Sequence, residues 1–222
     1  MTDGPGGEPE PDAEALEAGR LLFAAPATFL LSATSADQVP ASDLPEVAFA
    51  GRSNVGKSSL VNALTGRTTL AKTSATPGRT QTLNFFDLGG RAMLVDLPGY
   101  GFAKAPKADV ERWTRLTRAY LRGRPQLRRV LLLVDARHGV KANDLEVMTA
   151  LDTAAVSYQV VLTKADKLLA GPLRRVEEAV AATIARHVAA HPVTITTSSE
   201  TGQGIAELRA GIAALADTSA RR

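Results

Sequence analysis

Apolar residues recur with two different spacings between residues 46 and 217. Short apolar runs predict six strands. These runs cover residues 46–51, 82–89, 91–98, 128–136, 157–166 and 192–198. The runs at 128–136 and 157–166 are almost continuously apolar, which is typical of parallel strands buried on both faces.

Between these runs, the apolar residues follow the spacing of helices. The predicted helices cover residues 58–66, 112–123, 142–154, 172–190 and 204–216. Gly89 and Gly90 separate two strand-like runs, which predicts a hairpin. Since strands and helices otherwise alternate, the pattern predicts a doubly wound α/β domain with a mostly parallel six-stranded sheet and one antiparallel edge strand.

Composition divides the chain further. Residues 1–20 are acidic and rich in Gly and Pro near the start, which predicts a disordered tail. Residues 21–45 are interpreted as a lead-in segment, 46–217 as the main domain and 218–222 as a C-terminal tail. The apolar run 21–33 is too short to span a bilayer and contains Pro26, so it predicts a packing segment and no membrane contact.

Charge and cysteine content exclude several classes of protein. The 222 residues are 45% apolar, carry a net charge of +3 and include no cysteine, which excludes disulfides and thiolate chemistry. The acidic N-terminus has the wrong sign for a signal peptide. We therefore expect a cytoplasmic protein.

The segment "GRSNVGKSSL" (51–60) matches the phosphate-binding pattern G-x-x-x-x-G-K-[ST]. Gly51 and Gly56 allow a tight turn whose N–H groups face a phosphate, and the following helix points its positive end at the same anion. Lys57 would reach the β- and γ-phosphates, and Ser58 would offer a hydroxyl to Mg²⁺. The alternative is a glycine-rich turn that only caps a helix.

Four weaker motifs accompany this pattern. "DLPG" (96–99) offers a carboxylate to Mg²⁺ through a water and the Gly99 N–H to the γ-phosphate, although a plain strand-to-turn junction has the same pattern. "TPGRTQT" (76–82) offers a second hydroxyl to Mg²⁺. Thr80 is our choice, with Thr76 and Thr82 as rivals and an ordinary polar loop as the alternative.

The other two motifs concern the base. In "TKAD" (163–166), Asp166 can accept two hydrogen bonds from guanine that adenine cannot donate, and the Lys164 stem can lie along the base. In "TSSETGQG" (197–204), small residues let backbone N–H groups approach the guanine O6. Taken alone, "TKAD" could be a surface charge pair, and "TSSETGQG" could be a Ser-rich turn that caps the following helix. The order of all five motifs favours a GTP-binding protein over an ATP-dependent kinase.

Four segments closely resemble the EngB-type bacterial ribosome-biogenesis GTPases. They are "GRSNVGKSSLVNAL", "TPGRTQTLNFF", "VDLPGYGFAK" and "VLTKADKL", within a resemblance that covers about residues 45–215. The resemblance implies a three-layer P-loop NTPase fold of the Ras-like type. It also implies a role in assembly of the large (50S) ribosomal subunit, with a link to cell division in some bacteria.

The resemblance also implies the site. The implied nucleotide contacts are Gly51, Arg52, Ser53, Asn54, Val55, Gly56, Lys57 and Ser58; Gly78, Arg79, Thr80, Gln81 and Thr82; Asp96, Leu97, Pro98 and Gly99; Thr163, Lys164, Ala165 and Asp166; and Thr197, Ser198 and Ser199. Ser58 and Thr80 would bind Mg²⁺, and Lys57, Thr80 and Gly99 would act on the γ-phosphate. Thr163 stands where most GTPases have Asn, as is usual in this family.

Hydrolysis is expected to be slow. Ras-like enzymes orient water with a Gln after D-x-x-G, and Tyr100 stands there instead. Asn54 lies where potassium-activated GTPases use an Asn as a K⁺ ligand, so a partner or K⁺ is expected to raise the rate. The alternative is that Asn54 only braces the loop.

Residues 101–130 hold nine bases and two acids. Arg112, Arg115, Arg118 and Arg122 would form one stripe on a helix, with Lys104, Lys107, Arg124, Arg128 and Arg129 nearby. The positive charge of segment 104–129 suits the phosphate backbone of RNA, so ribosomal RNA is the predicted partner, although a solvated helix face has the same pattern. The protein itself is expected to be a monomer. Trp113 is interpreted as a core residue rather than as a platform on which a base stacks. The rival overall function is a nucleotide-gated module, with negligible catalysis, that binds division proteins.

Overall fold

The computed structural model describes residues 11–67, 70, 82–101 and 107–217, with side chains of the third helix described from residue 115. Seven strands and six helices follow one another along these ranges. The strands are β1 (Ala27–Ala33), β2 (Glu46–Gly51), β3 (Leu83–Leu88), β4 (Ala92–Asp96), β5 (Leu127–Asp135), β6 (Tyr158–Thr163) and β7 (Ile195–Thr196). The helices are α1 (Ala13–Ala24), α2 (Lys57–Thr65), α3 (Lys107–Gly123), α4 (Ala142–Thr153), α5 (Ala170–Ile184) and α6 (Ile205–Ala216).

One sheet contains all seven strands in the order β1-β3-β4-β2-β5-β6-β7. Only β3 runs antiparallel to its neighbours, β1 and β4. The hairpin predicted at Gly89–Gly90 is confirmed, and both glycines have positive φ (60° and 66°), as this kind of two-residue turn requires. The predicted α/β class and the mostly parallel sheet are also confirmed.

The strand count and the sheet edge differ from the prediction. The sheet has seven strands rather than six, because β1 pairs with β3 from Ala27–Leu88 to Ala33–Leu83. The antiparallel strand therefore lies one position inside the edge. The folded unit begins before residue 46. The predicted lead-in segment, 21–45, contains the last residues of α1 and the whole edge strand β1.

The prediction of a disordered tail over residues 1–20 is wrong for residues 13–20, which belong to helix α1. Asp12 caps this helix by accepting a hydrogen bond from the Ala15 N–H at 2.8 Å. Leu22 and Phe23 are buried, and Gly19 lies so close to α6 that an added Cβ would come within 2.6 Å of the Ala210 nitrogen. The helix is therefore held by close packing on α6. Residues 1–10 lie outside the described ranges.

Two hydrophobic clusters cover the two faces of the sheet. On one face, α3, α4 and α5 contribute residues such as Leu116, Met148 and Val180. On the other, α1, α2 and α6 contribute residues such as Leu22, Leu60 and Leu208. The strands β2, β4 and β6 are buried along their whole length. Because β4, β2, β5 and β6 run parallel, their carboxyl ends lie at the same end of the sheet.

Candidate functional site

The predicted phosphate cradle connects β2 directly to α2. Asn54 and Gly56 take the left-handed conformation, with φ of 61° and 102°, which turns the backbone sharply ahead of the helix. Gly51 has no room for a side chain, because an added Cβ would lie 2.8 Å from Val55 Cγ1 and 3.1 Å from Leu133 Cβ. The two glycines therefore meet different needs, close packing at the first and backbone conformation at the second.

Lys57 and Ser58 are the first two residues of α2, so both lie at the positive end of that helix. The Lys57 ammonium forms an ion pair with Asp96 Oδ1, which comes from the end of β4. Side-chain exposure is 13% for Lys57 and 9% for Asp96. The structure thus brings the cradle and the D-x-x-G motif together at one point.

The D-x-x-G motif lies beside β2 and the cradle. Leu97 continues the sheet, since its N–H donates to the Phe49 carbonyl at 2.9 Å. Gly99 lies over Ser53, and an added Cβ would approach Ser53 Oγ to 3.2 Å. Tyr100 then pairs with the cradle backbone. The Tyr100 N–H donates to the Gly51 carbonyl, and the Tyr100 carbonyl accepts a hydrogen bond from the Ser53 N–H.

Tyr100 turns its side chain away from the cradle and into the core. It is 7% exposed, and its hydroxyl donates to Asp144 Oδ1 at 2.7 Å. Burial, together with the negative charge of Asp144, raises the pKa of the Tyr100 hydroxyl far above its ordinary value. Asp144 is fully buried and also accepts the Lys141 N–H at 2.8 Å, at the start of α4. The expectation that Tyr100 cannot orient water as a Gln would agrees with this position.

The base-recognition motif follows β6. Asp166 points its carboxylate at the last loop, where Ser198 Oγ donates to Asp166 Oδ1 at 2.7 Å and Lys167 pairs with Oδ2 at 2.8 Å. The hydrogen bonds from Lys167 and Ser198 lower the pKa of Asp166 below its ordinary value. The carboxylate is therefore ionised and oriented as a hydrogen-bond acceptor.

Two threonines of the predicted site are internal braces. Thr163 is 3% exposed, and its hydroxyl donates to the Val55 carbonyl of the cradle at 2.6 Å. Thr197 is 1% exposed, and its hydroxyl donates to the Leu162 carbonyl at 2.8 Å. Ala165 joins the same framework, because its N–H donates to the Thr197 carbonyl at 3.1 Å. Both hydroxyls therefore hold loops rather than face a ligand.

Lys164 links the base motif to the cradle. It has φ of 60°, and its ammonium donates to the Asn54 carbonyl at 2.6 Å and to Asp135 Oδ2 at 2.8 Å. Asp135, at the end of β5, is a residue that the sequence analysis missed. A lone acid after a buried strand, two residues before an arginine, was the one signal that could have indicated it.

The remaining predicted residues fall into three groups. Arg52 pairs through its backbone with Tyr100 beside the motif, Pro98 is buried, and Ser199 is exposed after the last strand. Thr82, one of the rivals for the second Mg²⁺ hydroxyl, donates to Asn84 Oδ1 at 3.1 Å. Four other predicted contacts lie outside the described residues, as does the rival Thr76; they are Gly78, Arg79, Thr80 and Gln81.

The basic segment divides into exposed and structural arginines. Arg115, Arg118 and Arg122 are exposed along α3. Arg124 is not part of this surface, because its guanidinium pairs with the fully buried Glu46 at 2.5 Å and donates to the Pro40 carbonyl at 2.7 Å. Arg129 is half-buried and donates to Gln159 Oε1 at 3.1 Å. The side chains of Lys104, Lys107, Arg112 and Trp113 lie outside the described part of the chain.

Comparison with known proteins agrees with this geometry. A family model described as "50S ribosome-binding GTPase" matches residues 46–164. A "Probable GTP-binding protein EngB" of Rhodospirillum rubrum is 64% identical over 212 residues, covering 93% of this chain and 92% of that protein. A protein of the same description from Granulibacter bethesdensis is 58% identical over 210 residues, covering 95% and 94%.

A solved structure agrees as well. The crystal structure of a probable GTP-binding protein engB matches with a TM-score of 0.61 at 25% identity, over 77% of this chain and 98% of that one. A cradle, a D-x-x-G motif and a guanine-type base motif at one edge of an α/β sheet define a P-loop GTPase. With this identity and coverage, the chain belongs to the EngB family of GTP-binding proteins.

Proposed function

We propose that this chain is a GTP-hydrolysing switch that acts in the assembly of the large ribosomal subunit in the cytoplasm. It would dock on a subunit precursor when loaded with GTP and leave after hydrolysis. The nucleotide-binding part of the proposal rests on the convergence of two ion pairs, Lys57–Asp96 and Lys164–Asp135, with the acceptor Asp166. The ribosomal part is supported by the match to a family described as "50S ribosome-binding GTPase". Within the described residues, no helix is long and apolar enough to cross a membrane.

The donor set at the cradle fits Mg²⁺. Ser58 offers a hydroxyl at the start of α2, and Asp96 offers a carboxylate at the end of β4; oxygen ligands of this kind are those that Mg²⁺ prefers. Mg²⁺ bound there would offset negative charge on the phosphates. Asp96 now pairs with Lys57, so nucleotide binding would exchange the partner of that carboxylate.

Slow intrinsic hydrolysis follows from the position of Tyr100. The residue after D-x-x-G donates its hydroxyl to Asp144 inside the core, so it offers no side-chain group to an attacking water. Lys57 and the cradle N–H groups can stabilise charge on the phosphates, but they do not orient that water. A partner or a cation would have to raise the rate.

Asn54 is the residue through which K⁺ would act. It is exposed in the cradle, and the left-handed backbone there turns its carbonyl to Lys164 and leaves its side chain at the surface. A K⁺ ion next to the phosphates would supply positive charge to the transition state. We expect a higher kcat in KCl than in NaCl, and less difference in Asn54→Ala; equal rates in the two salts would contradict this part of the proposal.

The exposed face of α3 is the proposed contact with ribosomal RNA. Arg115, Arg118 and Arg122 recur at steps of three and four residues, so they share one side of the helix. Binding through them should weaken steeply with salt. Arg124 is excluded from this surface by its pair with Glu46, which makes it the matched charge that should not contribute.

Cofractionation tests the proposal. Lysates are separated on sucrose gradients with a non-hydrolysable GTP analogue or with GDP, and the chain is followed by immunoblot. We expect it in large-subunit precursor fractions with the analogue and not with GDP, and we expect Arg115→Glu/Arg118→Glu to abolish this. Absence from those fractions in both nucleotide states would overturn the ribosomal role and favour a nucleotide-gated module that binds division proteins.

A further inference from the structure

Asp135 carries a carboxylate that lies outside the five motifs described above and that connects two cations near the cradle and the base motif. Its Oδ2 accepts Lys164 Nζ at 2.8 Å and Arg137 Nη2 at 2.7 Å, and its Oδ1 accepts Arg137 Nε at 3.0 Å. The Asp135 side chain is 10% exposed, against 43% for Arg137 and 26% for Lys164. The carboxylate is therefore largely buried, and the Arg137 guanidinium covers it on the side that is more exposed to solvent.

Lys164 is the residue that this carboxylate holds in place. Its ammonium bridges Asp135 on β5 and the Asn54 carbonyl in the cradle, and its stem passes 3.5 Å from the position of a Cβ on Gly56. A free lysine has four rotatable side-chain bonds and loses their entropy when a ligand packs against it. Two fixed partners remove that cost before the nucleotide arrives.

We propose that Asp135 is a positioning residue for guanine-nucleotide binding, which fixes the Lys164 side chain between the cradle and the base site through their ion pair. The inference rests on the nucleotide site described above and adds a residue to it. Asp135 does not contact the nucleotide in this account. Its effect on affinity passes through Lys164, whereas Asp166 alone determines which base is accepted.

The backbone around Asp135 explains why this carboxylate is placed reliably. The Arg137 N–H donates to Asp135 Oδ1 at 3.0 Å, and the Ala136 N–H donates to the Thr163 carbonyl at 2.9 Å, so the ends of β5 and β6 are joined. Burial tends to raise the pKa of Asp135, but the hydrogen bonds from Arg137 and Lys164 outweigh it and hold the pKa well below its ordinary value. The carboxylate is therefore charged throughout the physiological range.

The test compares Asp135→Asn with the unchanged full chain. Loss of a charge-assisted hydrogen bond to Lys164 should weaken GDP binding by about tenfold and speed GDP dissociation by a similar factor. Titration calorimetry and the release of a fluorescent GDP analogue measure the two quantities. The preference for GDP over XDP should stay unchanged, whereas Asp166→Asn should reverse it.

The control variant is Arg137→Gln, which removes the other cation and leaves Lys164 on Oδ2. We expect less than about a threefold change in GDP affinity, because the positioning contact remains. Asp135→Glu, which keeps the charge but displaces the carboxylate, is the second variant if Asp135→Asn folds poorly, and it should also weaken GDP binding.

A double-mutant cycle with Lys164→Met decides between positioning and general stabilisation. If Asp135 acts through Lys164, adding Asp135→Asn to Lys164→Met should weaken GDP binding no further. Additive losses, or unchanged affinity in Asp135→Asn, would overturn the inference and leave the nucleotide site intact. If Lys164→Met and Asp166→Asn also bind GDP normally, the nucleotide site itself is wrong.

Discussion

Paired carboxylates, buried or partly buried, occur at both ends of the parallel sheet, and their partners differ in kind. At the amino end, Glu46 is fully buried and accepts hydrogen bonds from Tyr120 at 2.8 Å and from Arg124 at 2.5 Å. Asp152, at the end of α4, pairs with His187 at 2.6 Å and accepts the Ala189 N–H at 2.9 Å. These partners tie helices and loops to the core.

At the carboxyl end, the carboxylates have partners that a nucleotide would also need. Asp96 holds Lys57, Asp135 holds Lys164, and Asp166 holds Ser198. Each of these pairs joins two loops of the site. The comparison teaches that the amino end uses its charges to fix helices to the core, whereas the carboxyl end uses its charges to arrange the loops that would bind a nucleotide.

Tyr100 is the exception at the carboxyl end. Its bond to Asp144 resembles the bond of Tyr120 to Glu46, since in both a hydroxyl meets a fully buried carboxylate. Burial, with the nearby carboxylate, raises the pKa of both tyrosines well above the ordinary value. The two carboxylates differ in their second partner. Glu46 pairs with the charged Arg124 guanidinium, whereas Asp144 accepts a hydrogen bond from an uncharged backbone N–H at the start of α4.

The largest expected effect on stability comes from removing the guanidinium at the amino end. Arg124→Met would leave Glu46 buried without its cation, which should lower the free energy of unfolding by about 3 kcal/mol or more. GDP affinity should not change, because the pair lies away from the nucleotide edge. Chemical denaturation and calorimetry measure the two quantities. Arg122→Met, an exposed arginine two residues earlier at the end of α3, is the control and should leave stability unchanged; an equal loss would show that the buried pair is not the cause.

At the carboxyl end, Asp166→Asn should change the ligand and not the fold. An amide cannot accept both hydrogen bonds of guanine, so GTP binding should weaken by about a hundredfold while XTP binding strengthens. Competition of GTP, XTP and ATP against a fluorescent GDP analogue measures the preference. Unchanged preference for GTP would refute the assignment of Asp166, and a lower unfolding midpoint would place it with the structural carboxylates of the amino end.

The two tyrosines sharpen the comparison further. Tyr100→Phe removes one of the two donors seen on Asp144, so it should lower the free energy of unfolding by about 2 kcal/mol. Tyr120→Phe should cost about 1 kcal/mol, because Arg124 still satisfies Glu46. Denaturant unfolding of both variants measures the difference. An equal cost would mean that the guanidinium does not protect its carboxylate.

Much of this arrangement could be read from the sequence, because its signals are local. The cradle needs Gly51 for packing and Gly56 for conformation, and both requirements follow from the motif. The six strands from residue 46 onwards follow from apolar runs. The two base motifs were expected near one ligand, and the structure brings Asp166 and Ser198 into contact, since the loops after parallel strands meet at one end of the sheet.

What the sequence missed depends on contacts between distant residues. Arg124 was grouped with the basic segment because it lies close to the arginine stripe in sequence, and only the fold brings it to Glu46, 78 positions earlier. Helix α1 was hidden by the acidic composition around it, and its stability depends on Gly19 meeting α6. Asp135 belongs to no local pattern, because its role depends on Lys164, which directly follows the next strand of the chain.

The smallest expected effect concerns Lys167, which pairs with Asp166 on its outer side. The Lys167 side chain is 54% exposed, so its ion pair is screened by water and salt and should contribute little. Lys167→Ala should leave the unfolding midpoint unchanged and GDP affinity within about twofold, because Ser198 still orients the carboxylate. Measurement at low and high salt checks this directly. A loss of GDP affinity comparable to that of Asp166→Asn would mean that the orientation of Asp166 depends on an exposed cation. The contrast between the two ends of the sheet would then rest on surface ion pairs as well as on the less exposed ones.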